Sequence, residues 1–173
     1  IRTKFEKVKS RLLEKRGGDS VFTLFVEVDE PVESFKRIAN GHFFYSPSRK
    51  GLGETHREEL DSILRTPGVP DRSRILSWLD KFLALNTYEI SIPALKDPDM
   101  APAGKTGLII SFLADYDLFK MIAGTDWYKE FITELEERII KVLAGSVYSM
   151  LKEKVTAHFS FSPLNYQNRV GTS

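Results

Sequence analysis

With 173 residues, 42% of them hydrophobic and 28% charged, the chain has the composition of a globular domain long enough to bury one core, and not of a disordered or fibrous segment. Its 25 Lys and Arg nearly balance its 24 Asp and Glu, and a net charge of +1 gives no field that would draw the chain onto nucleic acid, which is therefore not an expected partner. There is no cysteine, which removes disulfides, thiolate nucleophiles and cysteine metal sites, and no apolar run reaches the roughly 18 residues that span a bilayer.

Residues 1–16 form a basic amphipathic helix candidate, with Phe5, Val8, Leu12 and Leu13 on one side, ended by Gly17 and Gly18. Residues 21–28 (VFTLFVEV) are β-branched and aromatic, with Val21, Thr23 and Phe25 on one face and Phe22, Leu24 and Val26 on the other, so they read as a central strand. A turn at Pro31 and a helical turn over 32–38 lead to a second strand, GHFFY at 41–45. The loop SPSRKGLG (46–53) has glycines and two cations but neither phosphate-binding glycine pattern, and reads as a structural turn.

Two helices follow, the second capped by Asp71 and carrying Ile75, Leu76, Trp78, Leu79, Phe82, Leu83 and Leu85 at helical spacing. Residues 87–92 alternate as a strand with one buried face, and 93–107, with its prolines and glycines, is an excursion or cover. GLIISFL (107–113) reads as a strand buried on both faces. A short helix over 115–123 precedes the longest one, 127–143, whose apolar stripe is Tyr128, Phe131, Leu135, Ile139 and Val142 and whose i,i+4 pairs are Glu134–Arg138 and Glu137–Lys141. A last strand, 155–161, turns at Ser162–Pro163 into a polar, basic loop, 165–169.

The class is α+β: about five strands in a mixed, largely antiparallel sheet, with helices packed mainly on one face. The pairs 21–28 with 41–45 and 87–92 with 107–113 are expected to be antiparallel neighbours, and the second sheet face needs a cover, either ligand or another domain. His42, His56 and His158 share no metal-binding spacing, no GxSxG elbow is present, and Asp115, Asp117 and Asp126 suit helix capping, so neither a catalytic residue nor a metal ligand is assigned. Twelve phenylalanines and six tyrosines exceed what a core of this size requires, and Phe43, Phe44 and Tyr45 in a row point to both strand faces, one of which either borders an apolar ligand cavity or simply packs against a helix. The candidate substrate face comprises Phe43, Tyr45, Tyr88, Ile90, Ile110 and Phe112, since alternate residues share a strand face.

Five segments in order, SVFTLFVEV (20–28), HFFYSPSRKGLGETHR (42–57), LNTYEISIPALKD (85–97), APAGKTGLIISFL (101–113) and FSPLNYQNRVG (161–171), together resemble the substrate-binding region of phytoene-desaturase-like FAD-dependent oxidoreductases, a branch of the amine-oxidase-type flavoprotein superfamily. The resemblance implies a single domain of a longer flavoenzyme whose FAD-binding segments lie outside this sequence, and a parent that moves a hydride between an isoprenoid or lipid-like substrate and flavin. It implies that Tyr166, Asn168, Arg169 and Thr172 approach the FAD, although many relatives carry an aromatic where Arg169 stands. The isolated domain is expected to be non-catalytic and not to retain FAD. Its implied partners are the FAD-binding domain of the same chain, an apolar small molecule, and a second copy through the inter-domain face. A cytoplasmic location is expected, with peripheral membrane attachment of the parent left open. The alternatives are a standalone carrier of apolar ligands and a protein-interaction domain.

Overall fold

A computed structural model describes residues 2–13, 19–68 and 71–171. The elements run α1 (Arg2–Leu13), β1 (Ser20–Val28), α2 (Val32–Lys36), β2 (His42–Tyr45), α3 (Gly53–Arg65), α4 (Arg72–Leu85), β3 (Tyr88–Ser91), β4 (Thr106–Ala114), α5 (Tyr116–Ala123), α6 (Tyr128–Ala144), α7 (Leu151–Lys154), β5 (Val155–Phe161) and α8 (Pro163–Val170). The five strands form one sheet in the order β2-β3-β4-β1-β5, every pairing antiparallel. The class is α+β, as the alternation of strand and helix patterns implies.

The sheet has one face packed on helices. Phe22, Leu24, Val26 and Val28 of β1 alternate with Leu108, Ile110, Phe112 and Ala114 of β4 against the buried stripes of α4 (Ile75, Trp78, Leu79, Phe82, Leu83) and α6 (Phe131, Leu135, Ile139, Leu143). Each stripe recurs at three- and four-residue steps, which is why one side of each helix is consumed by the core. Asp71 caps α4, accepting from the Arg74 backbone N–H at 3.2 Å. Arg138 of α6 pairs with Glu134 one turn back at 3.0 Å and with Asp80 of α4, tying the two helices together.

Three expectations are corrected. First, β1 and β2 are not neighbours: β1 lies between β4 and β5, while β2 is the far edge and pairs only with β3. A nine-residue strand with two apolar faces takes the interior, whereas four residues with alternating exposure suit an edge, and a connection containing α2 imposes no hairpin. The expected pairing of β3 with β4 is present.

Second, β4 is buried on one face only; Leu113 is 58% exposed. Third, the polar loop over 165–169 is helical, forming most of α8. Ser162 caps α8 in a reciprocal box with Asn165, Pro163 occupies its first turn, and Gly171 closes it in the left-handed region at φ 69°. Expectations on Gly17, Gly18 and Thr172 fall outside the described residues.

Candidate functional site

The register places two rows of side chains across the sheet face away from the helices: His42, Ser91, Ile109, Phe25 and Phe159 in one, and Phe44, Glu89, Ser111, Thr23 and Phe161 in the other. The first row ends in an aromatic pair, Phe25 stacked on Phe159 with centroids 4.8 Å apart. Phe161 meets Phe25 edge-on at 5.9 Å and Tyr166 at 6.0 Å, so a continuous aromatic row runs from β5 through β1 to α8. Phe159 is 57% and Phe44 68% exposed. Such rings are ordinarily covered, because burying one stabilises by about 1.5–3 kcal/mol.

A hydroxyl chain crosses the same face. The Tyr166 hydroxyl donates to Thr23 Oγ1 at 2.8 Å, and Thr23 Oγ1 lies 3.0 Å from Ser111 Oγ. At the far end the 93–105 segment, which contains two 3-10 turns (Pro93–Leu95 and Pro98–Met100), encloses a cavity of about 330 Å³ with Phe25, Ile109 and Phe159. Its last residue is held by an ion pair, Lys105 Nζ to Glu27 Oε1 at 2.6 Å, and Thr156 donates to the same carboxylate oxygen. The Lys105 hydrogen bond, then that from Thr156, keeps the Glu27 carboxyl below its usual range.

At the opposite end of the sheet a larger cavity, about 700 Å³, opens between α3, the carboxyl end of α4 and the ends of β3 and β4. His56 of α3 stacks on Trp78 with centroids 4.6 Å apart and lies 5.1 Å from Phe82, and Trp78 stacks on Phe82 at 4.8 Å. Burial is the main cause that lowers the His56 pKa, with Glu59 opposing it and Lys81 acting in the same direction as burial, which favours the neutral ring. A third polar group sits at the β5 edge on the helix side: the buried Glu136 carboxylate accepts from Ser160 at 2.6 Å and lies 2.8 Å from His158 Nδ1.

The expected substrate residues share one face, and it is the face packed on helices. Ile90 and Ile110 are fully buried, Phe43 and Tyr45 are half-buried, and Tyr88 donates to the Leu83 carbonyl at 2.7 Å. Phe112 sits among the rings of Phe22, Phe82 and Tyr88 and alone of the six lines the larger cavity. Of the expected flavin-facing residues, Tyr166 joins the aromatic row, Arg169 sets its guanidinium 4.9 Å above the Phe161 ring, and Asn168 is exposed on α8.

Sequence reasoning did not single out Phe25, Phe159 or His56 for a site. Strand alternation alone pairs Phe25 with Thr23, but its stacking on Phe159 depends on a register between strands far apart in sequence. Trp78 and Phe82, one helical turn apart, were a visible aromatic stripe; the histidine that stacks on them comes from another helix. No protein-family model and no curated protein matches the chain.

Proposed function

We propose that this chain is the substrate-binding domain of an FAD-dependent oxidoreductase of the phytoene-desaturase-like type, acting on an apolar isoprenoid or lipid-like molecule. The observation that carries this reading is the aromatic row Phe159–Phe25–Phe161–Tyr166, exposed at Phe159 and half-buried at the other three, on a sheet face that the described helices, α8 apart, leave open. An apolar chain laid along such rings gains burial without demanding polar partners, and a second domain closing over it would exclude water from the reacting carbons.

The described residues fit a contact with the flavin edge and not a cradle for its diphosphate. No strand–GxGxxG–helix unit occurs in the sequence, whereas Arg169 presents hydrogen-bond donors over the Phe161 ring of the aromatic row. In this reading the FAD-binding domain of the same chain covers the open face. FAD, when bound there, supplies the hydride acceptor or donor, while this domain orients the substrate: the rings of Phe25 and Phe159 hold it, and the Tyr166–Thr23–Ser111 hydroxyls fix one side of the face.

The test is the full-length parent chain, expressed from its gene. It should carry a strand–GxGxxG–helix segment and purify with flavin absorbance, while the 173-residue domain alone retains none. Stoichiometric FAD on the domain alone, or a parent with neither the fingerprint nor flavin, overturns the reading; the latter result with a co-purifying lipid favours a standalone carrier.

A further inference from the structure

The second residue of β4 is a glycine that the backbone does not require. The φ of Gly107 is not positive, and the β1–β4 register runs unbroken through its pairing with Glu27, so neither a left-handed turn nor a bulge accounts for it. A glycine inside a strand otherwise marks the close approach of another backbone or of a ligand. The first is absent, because a Cβ built on Gly107 would meet no atom of the described residues within 4 Å. The missing side chain leaves a hollow on the open face of the sheet.

That hollow belongs to the cavity of about 330 Å³ under the 93–105 segment. Ala157, on the far side of β1 in the same row, keeps the floor low, Ala101 of the overlying segment lines the cavity, and the stacked pair Phe25 and Phe159 stands in the next row. The charges beside it, Lys105 and Glu27, pair with each other at 2.6 Å, so a charged headgroup would meet no free counterion. What fits is an aliphatic end, which gains by burial alone. We propose that this cavity seats the terminal alkyl group of the molecule whose chain lies along the aromatic row, with Gly107 and Ala157 setting how deep it enters. The proposal rests on the reading that the open face binds an apolar chain and adds a ruler to it. Ala157 and Phe161 are four residues apart on β5, a span of about 13 Å. A chain end stopped at the hollow thereby fixes which of its carbons reaches the Phe161–Tyr166 end of the row.

The test is the binding of hexan-1-ol, octan-1-ol and decan-1-ol to this chain labelled at its methionine methyls, followed by magnetic resonance. Met100 lines the cavity, whereas Met121 and Met150 pack against the core. The Met100 methyl signal is expected to shift saturably with the other two unmoved, and affinity should rise about fourfold for each methylene that enters. Gly107→Leu, whose side chain would enter open space, should fold and weaken decan-1-ol roughly tenfold, the worth of about two methylenes, with a much smaller loss for hexan-1-ol. Ala157→Leu, filling the hollow from another strand, should do the same. A Met100 signal that no alcohol moves, affinity independent of chain length, or the same loss for all three alcohols in both variants overturns the proposal. Flavin enters none of these readouts: a parent without FAD whose domain still measures chain length fails only the flavin reading, and a parent with FAD whose domain does not measure it fails only this one.

Discussion

At the scale of the residue, two buried tyrosines illustrate opposite fates of a hydroxyl. Tyr88 donates to the carbonyl of Leu83, which belongs to the last turn of α4 and so has no partner within the helix. Tyr148 is equally buried, stacked obliquely on Phe35, and its hydroxyl has no partner among the described residues. Tyr88→Phe should therefore cost about 1–2 kcal/mol in denaturant unfolding, whereas Tyr148→Phe should be neutral or stabilising by up to ~1 kcal/mol.

Burial raises both phenol pKa values, for Tyr88 with a smaller contribution from Tyr45. A folded-state pKa raised above the unfolded one means stability is intact below about pH 10 and declines above it, as the unfolded chain ionises first. Both phenylalanine variants should flatten that alkaline decline. A Tyr148→Phe penalty as large as that of Tyr88→Phe would show that the orphan hydroxyl has a partner after all.

At the scale of the element, α8 shows what was legible in the sequence and what was overlooked. The stretch SPLNYQNRVG contains a small hydroxyl cap, a proline at the first helical position, an asparagine three residues after the cap and a terminal glycine, all of them helix-boundary signals. Its interior, however, is polar with no apolar stripe, so periodicity favoured a loop. What holds it helical is tertiary. Tyr166 reaches Thr23, Ser162 Oγ lies 3.0 Å from the Tyr128 hydroxyl, and Gln167 accepts from Tyr116.

Ser162 thus links the cap of α8 to α6. Ser162→Ala should destabilise the domain by ~1–2 kcal/mol, mostly through α8. Amide exchange at residues 165–170 should accelerate ahead of that in β1 and β4. Uniform acceleration across the sheet would mean that α8 and the core open as one unit.

At the scale of the whole molecule, the α+β class, the five strands and the packing of helices mainly on one face followed from local periodicity, but not which face they cover. Strand order did not, because β1 takes β4 and β5 as partners across long stretches of chain. The alternation of Tyr88, Ile90, Ile110 and Phe112 gave one shared face; that helices cover it is a property of the assembled fold. The site on the other face is invisible to pattern alone, since Phe25, Phe159 and Phe161 become neighbours only once β1 and β5 are in register.

That face also dictates how the isolated chain behaves. Phe44, Leu113 and Phe159 project from it at 68%, 58% and 57% exposure, a separation across all five strands that one loop cannot cover. In the proposed parent the FAD-binding domain buries them. In the domain alone, the apolar surface is best hidden by a second copy, since two-fold association pairs each patch with its equivalent. Sedimentation at rising concentration should show a reversible monomer–dimer equilibrium. Leu113→Lys combined with Phe159→Lys should weaken dimerisation at least tenfold, roughly 1.4 kcal/mol, because each lysine would enter an apolar contact unpaired. Folding should survive, since both positions lie outside the core. A dimer untouched by the two lysines would mean that association uses another surface, such as the α1 side that carries Phe5 and Val8 at 64% and 48% exposure.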